Sequence, residues 1–407
     1  MPLLNIDLQD ISTQTIAVKL KKAAEVKVKK GHPWIFDESI VKQNKEAKSG
    51  DIAIIFDQKN NKFCALGLFD ISSPIRIKVL HFHTPIKLNE QWFEQCILDA
   101  IEKRKPLLNE QTNSARLIYG ENDHLPGFIV DQYAEVLVVK LYSAIWLPYL
   151  KTILPILQKK SGAKTIVLRL SRLLQNKKLK HGLTDGQVIM GKLETEEVIF
   201  KEYGISFFAN VVKGHKTGFF LDHRHNRNKV GKISTGKKVL DVFSYAGGFS
   251  IHALAGGAQS VHSIDISKKA NEMAVKNRSL NKLQSEHHIV TGDAFVEMEK
   301  LAQKKMLFNI IIIDPPSFAK QKSEIEIALK QYKRLAKAGV KLLQKNGILI
   351  LASCSSRVTS DDFFYNVEQV LKESGRDFTC LDKTYHDIDH PIAFEEAKYL
   401  KCGYYEA

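Results

Sequence analysis

Hydrophobic and polar positions change rhythm twice along the chain. Up to about residue 85, short apolar runs alternate with lysines. "TIAVKLKK", "EVKVKKGHPWIF", "DIAIIFDQKNNKFCALGLFD" and "PIRIKVLHF" read as strands, divided by turn residues such as Asn60-Asn61 and Ser73-Pro74. The pattern predicts a small β-barrel over residues 1–85. Residues 86–187 are mixed. A helical "EQWFEQCILDAIEKRKPLL" precedes the strands of "ARLIYGENDHLPGFIVDQYAEVLVVKLY", which Pro126-Gly127 and Asp131 punctuate. A helical "WLPYLKTILPILQKK", a strand "TIVLRLS" and a basic linker "LLQNKKLKHG" follow. An α+β central domain is expected here, with no chemistry attached to it.

The third region, 188–407, settles into long, regular alternation. "KVLDVFSY", "VHSIDI", "HHIVTGD", "FNIIIIDPP" and "GILILAS" read as buried strands. Between them lie the helical "GGFSIHALAGG" with a glycine stop, "SKKANEMAVKNRSLN", which Ser267 can cap, and "SEIEIALKQYKRLAKAGVKLL". Continuous apolar runs separated by helices imply an α/β, doubly wound sheet covered on both faces. Ligands of such sheets bind beyond the carboxyl ends of the strands.

Composition narrows the partners. A chain of 407 residues exceeds what one core fills, and no apolar run reaches the ~18 residues of a membrane span. The amino terminus has no basic stretch followed by an apolar one, so a cytoplasmic protein is expected. Five scattered cysteines, never spaced as C-x-x-C, indicate free thiols and no metal site. The formal charge of +15 favours a polyanion, with nucleic acid the leading partner. In the first region Lys19, Lys21, Lys27, Lys29 and Lys30 would form a phosphate track on one face, although an ordinary solvated face reads the same.

Acids close the strands of the third region. Asp241 precedes a loop with Gly247 and Gly248 that opens a helix, and Asp265 ends the next strand at about the ~20-residue offset of a ribose-binding acid. Asp293 closes a third strand in "TGDAF". The glycines do not follow G-x-G-x-x-G, which disfavours a dinucleotide. Three acids at successive tips suit a nucleoside with a cationic or neutral tail. A fourth strand ends in "IIIIDPPSF", where Asp314 sits at the edge of a buried sheet. Pro315 and Pro316 stiffen the turn as a pocket wall for a flat ring, and Phe318 is positioned to stack on it.

Together "DVFSYAGGFS", "SIDIS", "GDAF" and "DPPSF" resemble the successive motifs of class I methyltransferases that use S-adenosylmethionine. With "TGFFLDHRHNR", "SCSS" and "YLKCGYYE", the chain resembles the bacterial 23S rRNA cytosine-5 methyltransferases of the RlmI type. "VKKGHPWIF" is similar to the opening of that family's PUA domain, and "RLIYGENDHLPGFIVDQY" to its central-domain signature. The resemblance implies a PUA-like RNA-binding barrel, an α+β central domain and a Rossmann-like catalytic domain with a mostly parallel seven-stranded sheet. It implies that Phe243, Ser244, Tyr245, Ala246 and Gly247 wrap the methionine part of the cofactor. Asp265 with Ile266 would hold the ribose, and Asp293 with Ala294 the adenine edge. Phe220, Asp222 and Arg224 would line the mouth, with Asp241, Asp314 and Pro315 completing the cofactor set. His223 stands where the family pattern leads one to expect glutamine.

Carbon 5 of cytosine is a poor nucleophile, and adding a thiolate at carbon 6 makes it able to attack a sulfonium methyl. Many RNA cytosine-5 methyltransferases carry their cysteine in the motif after the fourth strand, but here that motif is "DPPSF", with Ser317 and no thiol. Cys354, in the "SCSS" turn, becomes the candidate nucleophile, and Asp314 the group that accepts from the exocyclic amine. Pro316, Ser317 and Phe318 would contact the base, and Lys27, Lys29 and Lys30 the surrounding 23S rRNA. Two alternatives stay open: methylation of an exocyclic amine with Cys354 idle, and a noncatalytic RNA-binding assembly factor.

Overall fold

The computed structural model describes residues 4–175 and 182–407, so most of the basic linker "LLQNKKLKHG" lies outside the described residues. The chain forms two compact units. One comprises Met1–Lys201, Ala209–Leu221 and Ile388–Glu395; the other comprises Glu202–Phe208, Asp222–Asp387 and Glu396–Ala407.

In the first unit, β1 (Thr15–Leu20), α1 (Lys22–Lys29), β2 (Trp34–Phe36), β3 (Ile40–Gln43), β4 (Ile52–Phe56), β5 (Phe63–Phe69) and β6 (Ile75–Phe82) build a six-stranded sheet ordered β2-β6-β5-β4-β1-β3. "EVKVKK" is not a strand; it belongs to α1, so Lys27 and Lys29 are helical and Lys30 caps the helix end. The valines alternate as a strand would, but only Val28 is buried, while Val26 is 44% exposed. The apolar face is Ala24 and Val28, four residues apart, packed on the sheet. Gly31, at φ +87°, ends the helix.

Next come α2 (Glu90–Arg104), β7 (Ser114–Tyr119), β8 (Phe128–Tyr133), β9 (Val136–Leu141), α3 (Leu150–Ser161), β10 (Thr165–Leu170) and β11 (Gln187–Met190). Their strands form a five-stranded sheet ordered β11-β10-β9-β8-β7. The core does not stop near residue 85: Leu66, Leu68 and Leu80 share one buried cluster with Phe93, Ile97 and Trp146.

The hairpin of β12 (Glu197–Glu202) and β13 (Ile205–Asn210) leads to α4 (Arg224–Lys232). Then follow β14 (Lys238–Val242), α5 (Gly248–Ala255), β15 (Ser260–Asp265), α6 (Lys268–Leu280), β16 (Glu286–Thr291), α7 (Ala294–Gln303), β17 (Phe308–Ile313), α8 (Ile325–Leu342), β18 (Leu343–Ser353), α9 (Ser360–Glu373), β19 (Thr379–Thr384) and β20 (Lys401–Glu406). The sheet is ordered β16-β15-β14-β17-β18-β20-β19. Only β20 runs against its neighbours β18 and β19; the other observed pairs are parallel. The expected doubly wound, mostly parallel seven-stranded sheet is present. Ile310 to Ile313 of β17 are all buried, each worth about 1.5–3 kcal/mol of transfer free energy. The order reverses between β14 and β17, which opens a crevice at their carboxyl ends.

Candidate active site

The carboxyl ends of β14, β15, β16 and β17 carry Asp241, Asp265, Asp293 and Asp314, so the acids expected at the strand tips share one rim of the sheet. After β14 the chain takes a tight path: Phe243 (φ +65°), Tyr245 (φ +48°) and Gly247 (φ +75°) are all left-handed. Two of these carry side chains, a strained arrangement that persists only when its surroundings fix it. They do fix it. The amides of Phe243 and Ser244 donate to Ile264 O at 2.9 and 3.1 Å, and that of Gly247 to Ser244 O at 2.8 Å. Tyr245 N donates to Asp265 Oδ2 at 2.8 Å, and Asn277 Nδ2 donates to Ala246 O at 2.9 Å.

Asp241 is buried beneath this loop. Its Oδ2 accepts from the Ser250 amide at 3.0 Å and the Ser250 hydroxyl at 2.5 Å, while Oδ1 has no partner. Burial, with the Asp314 and Asp265 charges adding to it, pushes this carboxyl up to about 7 despite the Ser250 bonds. Ser244 Oγ is likewise buried without a partner. Asp265 Oδ1 accepts from Ser267 N at 2.8 Å, and Ser267 caps α6 as expected, accepting from Ala270 N. Ile266 beside it is 75% exposed. Asp293 caps α7 by accepting from Val296 N at 3.1 Å, with Ala294 buried behind it. Such a rim, with orphan buried acceptors and four carboxyls, suits a ligand that is positively charged and rich in hydroxyl and amino donors.

Asp314 is three-quarters buried and lies 3.4 Å from His223 Nε2. The imidazole is wired from behind. Asn226 Oδ1 accepts from Thr384 and Tyr404, which turns its amide nitrogen toward His223 Nδ1 at 3.0 Å. In the neutral ring, Nδ1 therefore accepts and Nε2 carries the proton, at ion-pair distance from Asp314 but outside hydrogen-bond geometry. Burial pushes His223 down, but the Asp314 and Asp222 carboxylates outweigh it and its pKa is raised. The residue that departs from the family pattern is thus the one that touches the acid of "DPPSF".

Cys354 follows β18, whose Leu351 is in register with Ile313 of β17, so both turns emerge side by side. Cys354 is half-buried, and its Sγ lies 3.7 Å from Pro315 O. Ser317 Oγ donates to Ala319 O, and Pro316 is exposed. Phe318 packs edge-to-face on Tyr332 at 5.3 Å, so the core engages part of its ring. Ser355, also in the turn, donates to Ala319 O, tying the two turns together.

Asp222 accepts from Tyr399 Oη at 2.9 Å. Arg224 is fully buried, 3.4 Å from Asp387. Helix α4 is anchored by Glu202, which accepts from Arg227 Nε and Nη2, each at 2.7 Å, and lies 2.9 Å from His252 Nε2. Burial alone would raise this carboxyl, but the guanidinium and imidazole hold it well below the carboxylate range. Phe220 belongs to the first unit, stacked on His215 with Lys216 above its ring. Lys27, Lys29 and Lys30 are exposed in the same unit, and Lys29 pairs with Glu25 at 2.6 Å. A cavity of about 870 Å³ opens at the opposite, amino ends of the second unit's strands, near Lys238, Ser260 and Phe308, away from the acid rim.

With this geometry in hand, comparison with known proteins decides the family. Residues 125–391 match the family of S-adenosylmethionine-dependent methyltransferases, and residues 18–82 match a PUA-like domain. A ribosomal RNA large subunit methyltransferase of Deinococcus radiodurans is 39% identical over 96% of this chain and 97% of its own. The chain belongs to the ribosomal RNA large subunit methyltransferase family. A further member, methyltransferase I of Aeromonas salmonicida, is 33% identical over 95% of this chain and 98% of its own. A solved Streptococcus mutans protein, described as a candidate SAM-dependent methyltransferase, shares the fold with a TM-score of 0.81 at 22% identity. It covers 96% of this chain and 100% of its own. The cofactor of the family is S-adenosylmethionine, a sulfonium cation on a nucleoside, and the orphan acceptors and strand-tip carboxyls fit such a group.

Sequence reasoning missed three side chains that shape this site. They are His223, which the family pattern leaves without a role, Ser250 in the first turn of α5, and Lys401 of "YLKCGYYE". The available signal for Lys401 was a lysine heading a run of apolar and small residues that leaves no solvated face.

Proposed function

We propose that the protein forms 5-methylcytosine in 23S ribosomal RNA through a covalent bond between Cys354 and carbon 6 of the base. The observation that carries this reading is the approach of Cys354 Sγ to the Asp314-Pro315 turn, 3.7 Å from Pro315 O. The relatives' names supply the substrate class, ribosomal RNA of the large subunit. A substrate of this kind puts the enzyme in the cytoplasm, with the assembling ribosome.

The bound cofactor supplies an electrophilic methyl group. The chain's residues do the rest. Loop residues 243–247 embrace the methionine end, with Asp241 beneath them; Asp265 with Ile266 and Asp293 with Ala294 take the ribose and adenine; Asp222 and Arg224 line the mouth. Asp314 accepts from the exocyclic amine, a contact that separates cytosine from uracil, while Pro315 to Phe318 wall the base. Cys354, as thiolate, adds to carbon 6, and the electron pair displaced onto carbon 5 takes the methyl. Loss of the carbon 5 proton then expels the thiolate and restores the ring. The target base must be single-stranded or flipped out to reach such a site. The sequence modules 1–85, 86–187 and 188–407 serve as a division of labour, with the PUA-like part docking RNA by shape and phosphate contacts.

The test is Cys354→Ala. Methyl transfer to rRNA should fall by about 10³-fold or more with S-adenosylmethionine affinity unchanged, and the native enzyme should form a stable adduct with 5-fluorocytosine RNA. Transfer by the variant at a near-native rate would overturn covalent catalysis and leave methylation of an exocyclic amine as the alternative.

A further inference from the structure

Lys401 differs from the other cations of the second unit. It is in register with Ser353, the last residue of β18, and is only 2% exposed. Its Nζ donates to Ser355 O and to Val358 O, both at 2.5 Å, the carbonyls of the turn that begins with Cys354. Among the described residues no carboxylate lies within ion-pair distance of it. Burial pushes the ammonium down to about 8, and the one titratable group that works against this is the Cys354 thiol. An ammonium buried without a carboxylate is costly unless another negative charge supports it.

We propose that Lys401 is the positioning residue of the nucleophile: its buried ammonium braces the turn and serves as the counter-ion of the Cys354 thiolate. The inference rests on the covalent reading above for its purpose, but not for its test. The thiol proton leaves to solvent, the ammonium keeps its three protons, and the freed pair on sulfur is the one that adds to carbon 6. The groups facing the thiol from other elements set the balance. Asp314 at the tip of β17 opposes the thiolate, and His223, at the N-cap of α4 and 3.4 Å from Asp314, offsets that carboxylate. Tyr332 of α8 bonds Ser353 and is held neutral by burial, as is the Cys402 thiol next to Lys401. Arg357 of the turn itself points its charge into exposed surroundings. Lys401 is therefore the buried cation that tips Cys354 toward its reactive form.

The experiment is the pH dependence of iodoacetamide alkylation at Cys354, read peptide by peptide by mass spectrometry on the full chain without RNA. The native protein should show a midpoint about one unit or more below the ~8.5 of an ordinary thiol. Lys401→Met should raise that midpoint by about one unit or more, a roughly tenfold slower reaction at pH 7. Lys401→Arg, which keeps the charge, should restore most of the shift. A native midpoint at or above that of a free cysteine peptide overturns the proposal, even if Lys401→Met does not fold. So does a folded Lys401→Met protein with an unchanged midpoint. Should the midpoints behave as expected while Cys354→Ala still methylates RNA, the covalent reading fails and the Lys401–Cys354 coupling stands.

Discussion

Asp241 concentrates the conflict between stability and binding in one side chain. Its carboxyl is buried, with one oxygen satisfied by Ser250 and the other unpartnered, and burial pushes it up to about 7. The folded protein therefore holds this proton over a range, from about 4 to about 7, where the unfolded chain has released it. Stability contributed by this group falls as pH rises through that window. Asp241→Asn keeps the shape and the bond from Ser250 but removes the titration. The variant should melt above the native protein at pH 8, with the gap closing by pH 5, where the native carboxyl is already neutral. Its S-adenosylmethionine dissociation constant at pH 8 should rise about tenfold or more, because the orphan oxygen's charge is what a cationic ligand would meet. Calorimetry at the two pH values checks both, and a variant that binds the cofactor as tightly as the native protein removes Asp241 from the binding set.

Elements of the catalytic unit were legible to the extent that burial on both faces makes a strand continuous and apolar. Thus "FNIIII" and "GILILAS" announced themselves, and the acids after them marked the rim. Elsewhere period alone misled: "EVKVKK" alternates like a strand, yet its i,i+4 pairs Ala24–Val28 and Glu25–Lys29 match the helix it forms. His223 and Lys401 gained meaning only through partners remote in the chain, Asp314 and the Cys354 turn, which no local pattern encodes. Gly231 of α4 meets Gly256, the C-cap of α5, at close range. A Cβ on Gly256 would sit 1.9 Å from Gly231 O, although its φ of −77° suits any residue. Gly256→Ala therefore tests steric fit without backbone strain. It should cost about 1–3 kcal/mol, lowering the melting temperature by about 2–4 °C per kcal/mol. Gly375→Ala, strained at φ +72° but with open space around its Cβ, supplies the converse control. An unchanged melt for Gly256→Ala would mean that α4 and α5 separate freely.

Across the whole molecule, the formal charge of +15 gives the proposed RNA contact a measurable signature. Removing residues 1–85 is a poor way to read it, since Leu66, Leu68 and Leu80 belong to the core that holds Phe93 and Trp146, and their loss would expose that core. Charge removal at the surface is cleaner. Lys27 and Lys30 are exposed, whereas Lys29 is engaged by Glu25 at 2.6 Å and lies 3.8 Å from Asp57, so part of its charge is already offset. Each lysine that neutralises a phosphate contributes about 0.7 to the salt slope of single-strand binding and about 0.9 for a duplex. The double variant Lys27→Gln/Lys30→Gln should therefore flatten the plot of log affinity against log salt by about 1.4–1.8. It should weaken RNA of any sequence alike and leave cofactor affinity untouched, because phosphate contacts carry no base information. Lys29→Gln should change the slope by less than either single replacement. Fluorescence anisotropy on an rRNA fragment over a salt series measures all three. A double variant with the native slope would move the phosphate track off this helix, and the RNA-docking surface would have to be sought among the other lysines of the chain.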